Sequence, residues 1–302
     1  MLVTFKLIKD IARKVSPRWL WKALSFLNLM LFVRDAKGLK KIKFIKNKDQ
    51  AIVLGNGPSL KSDMEKIAEV SDQYDFVCVN NFATSPYFSR FKPTTYVFLD
   101  SYFFSHDAHP DWIKQREKTF AVINESTFWK MKIFLPAFAD KSILTEKINN
   151  PNVQIIKFKV LPYVNSNLKK VINRYKTGFF GPYQCNVLIY AVYLALWARY
   201  KEIKIYGADL SFHNDVEVDQ TNNHLQMRVR HFNSPDHVER LTKNPQKIEP
   251  FKMSALMQTT ADTFISHDAL NEFAKIIGVQ IVNKSSVSMI DAYDRSEKNQ
   301  LL

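Results

Sequence analysis

Residues 51–60 read Ala51-Ile52-Val53-Leu54-Gly55-Asn56-Gly57-Pro58-Ser59-Leu60, an apolar run that leads directly into a glycine-rich turn. The apolar residues predict a buried strand, and the turn precedes a predicted helix over Ser59–Val70. Such a turn lets backbone N–H groups and a helix N-terminus approach a phosphate closely. It is not a Rossmann fingerprint, because Leu60 replaces the third glycine, and it lacks the Gly-Lys-Ser/Thr of a P-loop. A tight turn without a ligand is the alternative interpretation.

After residue 50, short β-branched or aromatic runs alternate with helical stretches. This alternation predicts an α/β fold, a Rossmann-like, mostly parallel sheet flanked by helices. The predicted strands are Ala51–Leu54, Phe76–Val79, Thr94–Leu99, Thr119–Ile123, Val153–Phe158, Ile203–Tyr206 and Gln280–Val282. Two further helices are predicted: Pro182–Arg199, with proline in its first turn, and Ser266–Ile277, capped by Ser266 and ending before Gly278. Residues 211–250 are polar without a clear period, which predicts a functional loop or lid with some local helix.

The second predicted strand ends in two amides, within the run Cys78-Val79-Asn80-Asn81-Phe82. Parallel strands bring their carboxyl ends to one edge of a sheet, and ligands of open α/β sheets bind at that edge. Asn80 and Asn81 are therefore expected beside the glycine-rich turn. Their presence favours a ligand site over an empty turn.

The formal charge of +14 is concentrated in residues 1–50, whose 13 Lys+Arg and 3 Asp+Glu give a net +10. Within this segment, residues 19–33 form an apolar run with two tryptophans and a polar helical face, flanked by basic clusters. Its 15 residues are fewer than the roughly 20 that span a bilayer. We expect either a helix lying on an anionic membrane surface or a helix packed on the protein's own core. No nucleic-acid-binding motif accompanies the charge, so nucleic acid is not an expected partner.

The two cysteines, Cys78 and Cys185, lie in apolar stretches without the spacing of a zinc site or a disulfide framework. A reducing compartment is expected. The predicted organisation is a basic N-terminal segment over 1–49, a ligand-binding domain over 50–295 that contains the lid, and a tail over 296–302.

Several motifs occur in an order that resembles the bacterial lipo-oligosaccharide sialyltransferases of glycosyltransferase family 42 and related capsule and O-antigen proteins. The motifs are Gly-Asn-Gly-Pro-Ser-Leu at 55–60, Asn80-Asn81-Phe82, Gly181-Pro182-Tyr183-Gln184-Cys185-Asn186, Tyr206-Gly207-Ala208-Asp209-Leu210, His231-Phe232 and Ser286-Val-Ser288-Met-Ile290-Asp291-Ala292-Tyr293. The opening motif is also similar to 6-hydroxymethylpterin pyrophosphokinase-like proteins. The resemblance covers roughly residues 50–295 and implies a GT-A-like variant of the α/β fold.

The family resemblance implies a CMP-activated sugar as donor and assigns residues to it. Gly55, Asn56, Gly57, Pro58 and Ser59 form the nucleotide turn, with Asn56 and Gly57 at the phosphate or ribose. The other implied donor contacts are Asn80 and Asn81 at the phosphate and sugar, Asp100 at the sugar, Gln184 and Asn186 at polar donor groups, and Gly207 and Asp209 at the cytidine and ribose. Amides suit these tasks because they add no negative charge beside an anionic donor. For Asp209, a carboxylate that caps nearby backbone amides is an equal alternative.

Transfer to a sugar hydroxyl requires a base, and histidine titrates near neutral pH. By the resemblance, His231 is the first candidate, because it follows the Gly-Ala-Asp strand where the sialyltransferases carry their base; His224 is second and His213 third. Residues 207–240 lack the tyrosines that bind the leaving phosphate in that family. Arg228 and Arg230, or a protonated His213, are therefore expected to stabilise the departing charge.

No strand is followed by an Asp-x-Asp sequence, so we predict transfer without a metal or cofactor. Direct displacement by the acceptor hydroxyl would invert the anomeric centre, with the nucleotide monophosphate as leaving group. The expected acceptor is a glycan or glycolipid such as lipopolysaccharide or capsule, at the cytoplasmic face of the cell membrane. Two alternatives stay open: a magnesium-dependent pyrophosphokinase that uses Asp100 and Asp209, and a membrane-bound scaffold without catalysis. Assembly into a homo-oligomer is also left open.

Overall fold

The computed structural model describes residues 37–165, 167–183, 185–232 and 234–296. Residues 1–36 of the predicted N-terminal segment, which include its amphipathic run, and Gln184 lie outside these residues. The strands are β1 Lys37–Gly38, β2 Gln50–Leu54, β3 Asp75–Val79, β4 Thr95–Val97, β5 Met131–Pro136, β6 Val153–Lys159, β7 Leu161–Pro162, β8 Phe180–Gly181, β9 Glu202–Tyr206, β10 Val216–Asp219, β11 His224–His231, β12 Ser234–Arg240 and β13 Gln280–Asn283. The α-helices are α1 Leu60–Glu69, α2 Phe88–Phe91, α3 Pro110–Ser126, α4 Ser142–Lys147, α5 Leu168–Tyr175, α6 Val187–Trp197 and α7 Met253–Ile276.

Eight strands form one central sheet in the order β1-β6-β5-β4-β3-β2-β9-β13, and every neighbouring pair is parallel. The predicted α/β fold with a mostly parallel sheet is therefore confirmed. From β2 the chain proceeds outward through β3 to β6, then crosses back to place β9 on the other side of β2. This reversal makes the space between β2 and β9 the topological switch point, where open α/β sheets bind ligands.

The sheet is covered on both faces, as the apolar runs of its strands require. Along β2, Ala51 and Val53 pack into a core with α6 and α7, whereas Ile52 and Leu54 pack into a second core with α1 and α3. This alternation follows the two-residue period of a strand. Helix α6 is apolar all round, and its residues Leu188–Leu196 are buried, which explains its place beneath the central strands.

One predicted strand is wrong: residues Thr119–Ile123 belong to α3. The run is rich in β-branched residues, but its buried members Thr119, Phe120 and Ile123 follow helical spacing. The helix begins with Pro110 in its first turn, after the His109 cap. The strand of this region is β5, which the sequence reading missed because Lys132 interrupts its apolar run and Pro136 ends it.

Two predicted helix starts are also wrong. Helix α6 begins at Val187 after the Asn186 cap, five residues later than Pro182. Helix α7 begins at Met253, so Ser266 is not its cap but a buried residue in its interior. The Ser266 hydroxyl donates to the Asp262 carbonyl at 2.7 Å, and this bond to the preceding turn lets a polar side chain continue the helix.

The region 211–250 is more regular than predicted. After a short 3₁₀ turn at Phe212–Asp215, strands β10, β11 and β12 form a separate antiparallel sheet. We call this unit the small sheet. A register shift between Val229 and His231 interrupts its pairing near the end of β11.

Acid is expected to destabilise the fold through His267, a buried residue of α7 whose Nδ1 lies 2.7 Å from the Tyr293 hydroxyl. Burial lowers its pKa from 6.5 to about 3. Between these values the unfolded chain binds a proton that the folded chain does not, so stability falls as pH falls. One proton corresponds to about 1.4 kcal/mol per pH unit.

The test compares His267→Gln with the wild type by urea unfolding at pH 7 and pH 5. Glutamine keeps a hydrogen-bonding group but does not titrate there. The free energy of unfolding of the wild type is expected to fall more steeply than that of the variant. Equal slopes would contradict a neutral buried His267.

Candidate functional site

The candidate site lies where β2, β3 and β9 end. The turn after β2 contacts the turn after β9 through two backbone hydrogen bonds, Gly55 N–H to the Tyr206 carbonyl at 2.8 Å and Gly57 N–H to the Gly207 carbonyl at 2.9 Å. Gly207 adopts a left-handed conformation with φ of +64°. The two turns therefore form one rigid floor at the switch point.

The glycines of the first turn are required by this contact. A Cβ on Gly55 would lie 2.2 Å from the Gly207 carbonyl oxygen, and a Cβ on Gly57 would lie 2.0 Å from Asp209 Oδ2. Neither distance is physically attainable. Close approach of the two protein segments thus accounts for both glycines without any ligand.

Asp209 is buried against the start of α1. Its Oδ1 accepts from the Ser59 backbone N–H at 3.1 Å, and its Oδ2 accepts from the Ser59 hydroxyl at 2.6 Å. Such bonds are expected if Asp209 caps the start of the helix, which is the alternative role that the sequence left open for this carboxylate. A carboxylate already occupies the helix N-terminus, so a phosphate at the same place would meet negative charge.

Asn80 and Asp100 form the next part of the site. Asn80 lies just after β3 in a left-handed conformation with φ of +46°, and its Nδ2 donates to Asp100 Oδ2 at 2.7 Å. Tyr96, buried in β4, holds this turn: its hydroxyl donates to the Asn80 carbonyl at 2.6 Å and accepts from the Ala83 N–H at 2.8 Å. The surrounding protein partly excludes water and raises the pKa of Asp100 to about 6, against the opposing effect of the Asn80 bond.

The removal of the Tyr96 hydroxyl tests how firmly this turn is held. In Tyr96→Phe the buried Ala83 N–H loses its acceptor, which typically costs about 1–3 kcal/mol of stability. Urea unfolding should show this loss. Tyr183→Phe is the control, because the Tyr183 side chain is exposed. Equal stability of the two variants would contradict the bracing role of Tyr96.

These turns line a cavity of ≈ 380 Å³, a volume within the usual range for small-molecule sites. Its predicted members are Gly55, Asn56, Gly57, Pro58, Asn80, Asp100, Asn186, Gly207, Asp209, Arg228, Arg230 and His231. The sequence reading missed Ser211, Phe212, Asp215, Met227 and Glu239, which also line it. Asp215 precedes β10 and Glu239 lies in β12, so their position depends on the small sheet, which the sequence did not predict.

His231 lies at the end of β11 with its ring at the cavity. Its Nδ1 lies 3.3 Å from the backbone carbonyl of Asn56. A carbonyl only accepts, so this contact places the proton on Nδ1 and leaves Nε2 of the neutral ring as a proton acceptor. Partial loss of water lowers the pKa of His231, while the bond to Asn56 opposes the shift.

Arg228 and Arg230 bring positive charge to the same wall. Arg230 pairs with Asp215 at 2.9 Å and approaches Asp236 at 3.7 Å. Arg228 is exposed, and no ion pair joins it to another of the described residues. We call this part of the cavity the arginine wall; since Arg230 is already paired, Arg228 is the cation there that is left to bind an anionic group.

Other predicted site residues lie apart from the cavity. Asn81 turns away: its Nδ2 donates to the Tyr102 hydroxyl at 2.7 Å and its Oδ1 accepts from Thr119 at 2.7 Å. Ser59 is bound to Asp209 and does not line the cavity. His224 lies at the far end of β11, with Nε2 3.3 Å from Arg240 Nη2, and His213 is likewise outside the lining.

Within the ranges that the structure describes, no three His, Cys, Asp or Glu side chains cluster in a way that would hold a metal ion. Over the same ranges, no helix is both long and apolar enough to cross a membrane.

Comparisons with known proteins give a structural similarity but no sequence match. No protein-family description matches the sequence, and no curated protein sequence matches it. Among solved structures, the chain is similar to the MAf glycosyltransferase from Magnetospirillum magneticum AMB-1, with a TM-score of 0.44 and 12% identity. The match covers 87% of this chain and 37% of that one, so this chain spans well under half of the solved protein's length.

Proposed function

We propose that this protein is a glycosyltransferase that binds a CMP-activated sugar in the switch-point cavity and transfers the sugar to a glycan acceptor. The observation that carries the proposal is the His231 imidazole at the cavity, with Nδ1 on the Asn56 carbonyl and Nε2 left to accept a proton. The motif order that resembles the lipo-oligosaccharide sialyltransferases supports the choice of donor. A sialic acid, a related nonulosonic acid or Kdo is the proposed sugar.

The charges of the cavity favour one orientation of the donor. The Asp209 carboxylate at the start of α1 disfavours the phosphate there, whereas the arginine wall attracts it, chiefly through Arg228, which has no ion pair among the described residues. The uncharged turn of Gly55–Pro58 and the end of β9 are then left for the ribose and base. We assign the phosphate to the arginine wall, in place of the Asn56 and Gly57 contact implied by the family resemblance.

The proposed reaction is a single displacement. The acceptor hydroxyl oxygen bonds to the anomeric carbon while its proton passes to His231 Nε2. The bond from the anomeric carbon to the phosphate oxygen breaks, and its electron pair leaves with CMP. Arg228 and Arg230 stabilise the charge that develops on the phosphate. Attack opposite to the leaving group inverts the anomeric centre, and no step in this scheme uses a metal ion.

The proposed place of action is a membrane surface. The net charge of +10 in residues 1–50 and the tryptophan-bearing run over 19–33 support peripheral binding to the cytoplasmic face of the cell membrane. A lipid-linked glycan, such as a lipopolysaccharide or capsule precursor, is the proposed acceptor there.

The test is the melting temperature of the purified protein with CMP, CDP, UDP, GDP and ATP, each with and without Mg²⁺. A ligand that binds the folded state raises this temperature. A selective rise with CMP that does not need Mg²⁺ is expected, and Arg228→Ala should reduce it. A rise with ATP that depends on Mg²⁺ would overturn the proposal in favour of a pyrophosphokinase. No rise with any nucleotide would favour a scaffold without catalysis.

A further inference from the structure

A second depression, which we call the α1 groove, lies beside the cavity. Its volume is ≈ 570 Å³. Residues of α1 and of the segment before α2 line it, together with Phe232 from the turn after β11; the six used below are Lys61, Ser62, Glu65, Ser85, Tyr87 and Phe232. None of these residues belongs to the site described above.

The α1 groove and the cavity share one wall. His231 lines the cavity, and the next residue, Phe232, lines the groove. Both are fixed to the same atom, because the Phe232 N–H donates to the Asn56 carbonyl at 3.4 Å and His231 Nδ1 lies 3.3 Å from it. A molecule that contacts Phe232 in the groove therefore lies next to the residue that carries the proposed base.

We propose that the α1 groove binds the acceptor as a neutral, polyhydroxylated sugar ring. This inference rests on the proposed function and extends it to the second substrate. A ring seated against Phe232 would reach the proposed base by directing one hydroxyl across the shared wall.

The composition of the groove suits a sugar ring. The Tyr87 and Phe232 rings supply half-buried apolar surface for the C–H face of a pyranose. Stacking on Phe82, with ring centroids 5.7 Å apart, holds Phe232 in place. The exposed Ser62 hydroxyl donates to the Ser59 carbonyl at 2.9 Å and can still accept from a sugar hydroxyl. Ser85 is buried, and its hydroxyl accepts from the Tyr87 N–H at 3.3 Å, which helps to hold Tyr87 at the groove.

The charges of the groove indicate a neutral ligand. Lys61 and Glu65 are one helical turn apart on α1, are both exposed, and form no ion pair with any described residue. Each remains available to hydrogen-bond a hydroxyl, and together they add no net charge. An anionic sugar would gain from Lys61 and lose at Glu65.

The test is saturation-transfer NMR on the full chain, in the presence of CMP, with methyl glycosides of β-galactose, β-glucose, α-mannose and N-acetyl-β-glucosamine. At least one glycoside is expected to bind, with the strongest transfer to ring protons on one face. Tyr87→Ala should weaken that binding about tenfold or more, and Ser62→Trp, which fills the groove from the exposed face of α1, should abolish it.

The matched controls are Phe128→Ala, an exposed aromatic outside the groove, and Ala121→Trp, a small exposed position on α3. Both should bind the glycoside as the wild type does. Binding of no glycoside, or binding that Tyr87→Ala and Ser62→Trp leave unchanged, would overturn the inference. The melting-temperature rise with CMP is measured on the same samples; its absence in the wild type contradicts the proposed function and not the occupancy of the groove.

Discussion

Gly55→Ala is expected to destabilise the protein by about 3 kcal/mol, at the upper end of what overpacking costs in a core. The new methyl group would lie 2.2 Å from the Gly207 carbonyl oxygen and 2.9 Å from its carbon. Both are backbone atoms next to the central strands, so no side-chain rotation relieves the collision. The turns after β2 and β9 must separate, which also opens the floor of the cavity.

The measurement is urea unfolding, with Gly38→Ala as the matched control. A Cβ on Gly38 would lie 3.4 Å from the Phe179 ring, an ordinary contact, and its φ of −64° suits alanine. The control should change stability by no more than about 0.5 kcal/mol. Similar losses in the two variants would mean that the two turns are not held together as described. CMP binding should be lost only in Gly55→Ala.

The central strands could be predicted because a strand that is buried on both faces appears in the sequence as a continuous apolar run. Strands β2 and β3 are of this kind, whereas β9 alternates buried isoleucines with polar residues and is recognised by its two-residue period. The motif residues at the ends of all three strands follow from the parallel topology. Strand β5 could not be separated from the β-branched run 119–123, because a short apolar run does not distinguish a strand from the buried face of a helix.

The details of the site depend on backbone conformation and register, which composition does not determine. Asn80 and Asn81 are equivalent in sequence, but the left-handed turn at Asn80 keeps one amide at the cavity and directs the other toward Tyr102. His224 and His231 are both plausible bases in a polar segment. They lie at opposite ends of β11, roughly 23 Å apart at the usual rise of a strand, and only His231 lines the cavity.

His231→Gln is expected to lower kcat for transfer by about 10²–10⁴, the usual contribution of a positioned base. Glutamine can still donate to the Asn56 carbonyl, so the turn that carries residues 231 and 232 should stay in place. Its amide cannot accept a proton near neutral pH, so the chemical step loses its base. The rise in melting temperature with CMP should be unchanged, which separates this loss from a loss of donor binding.

The pH dependence of the transfer activity tests whether His231 or Asp100 is the base. A base must be neutral to act, so activity should rise with pH through the pKa of His231, which lies below its usual 6.5. This acidic limb should disappear in His231→Gln. Asp100 also titrates near pH 6, so Asp100→Asn is measured alongside: if His231 is the base, this variant keeps the acidic limb. His106→Gln, an exposed histidine outside the cavity, should match the wild type. Loss of the limb in Asp100→Asn and its survival in His231→Gln would transfer the role of base to the carboxylate.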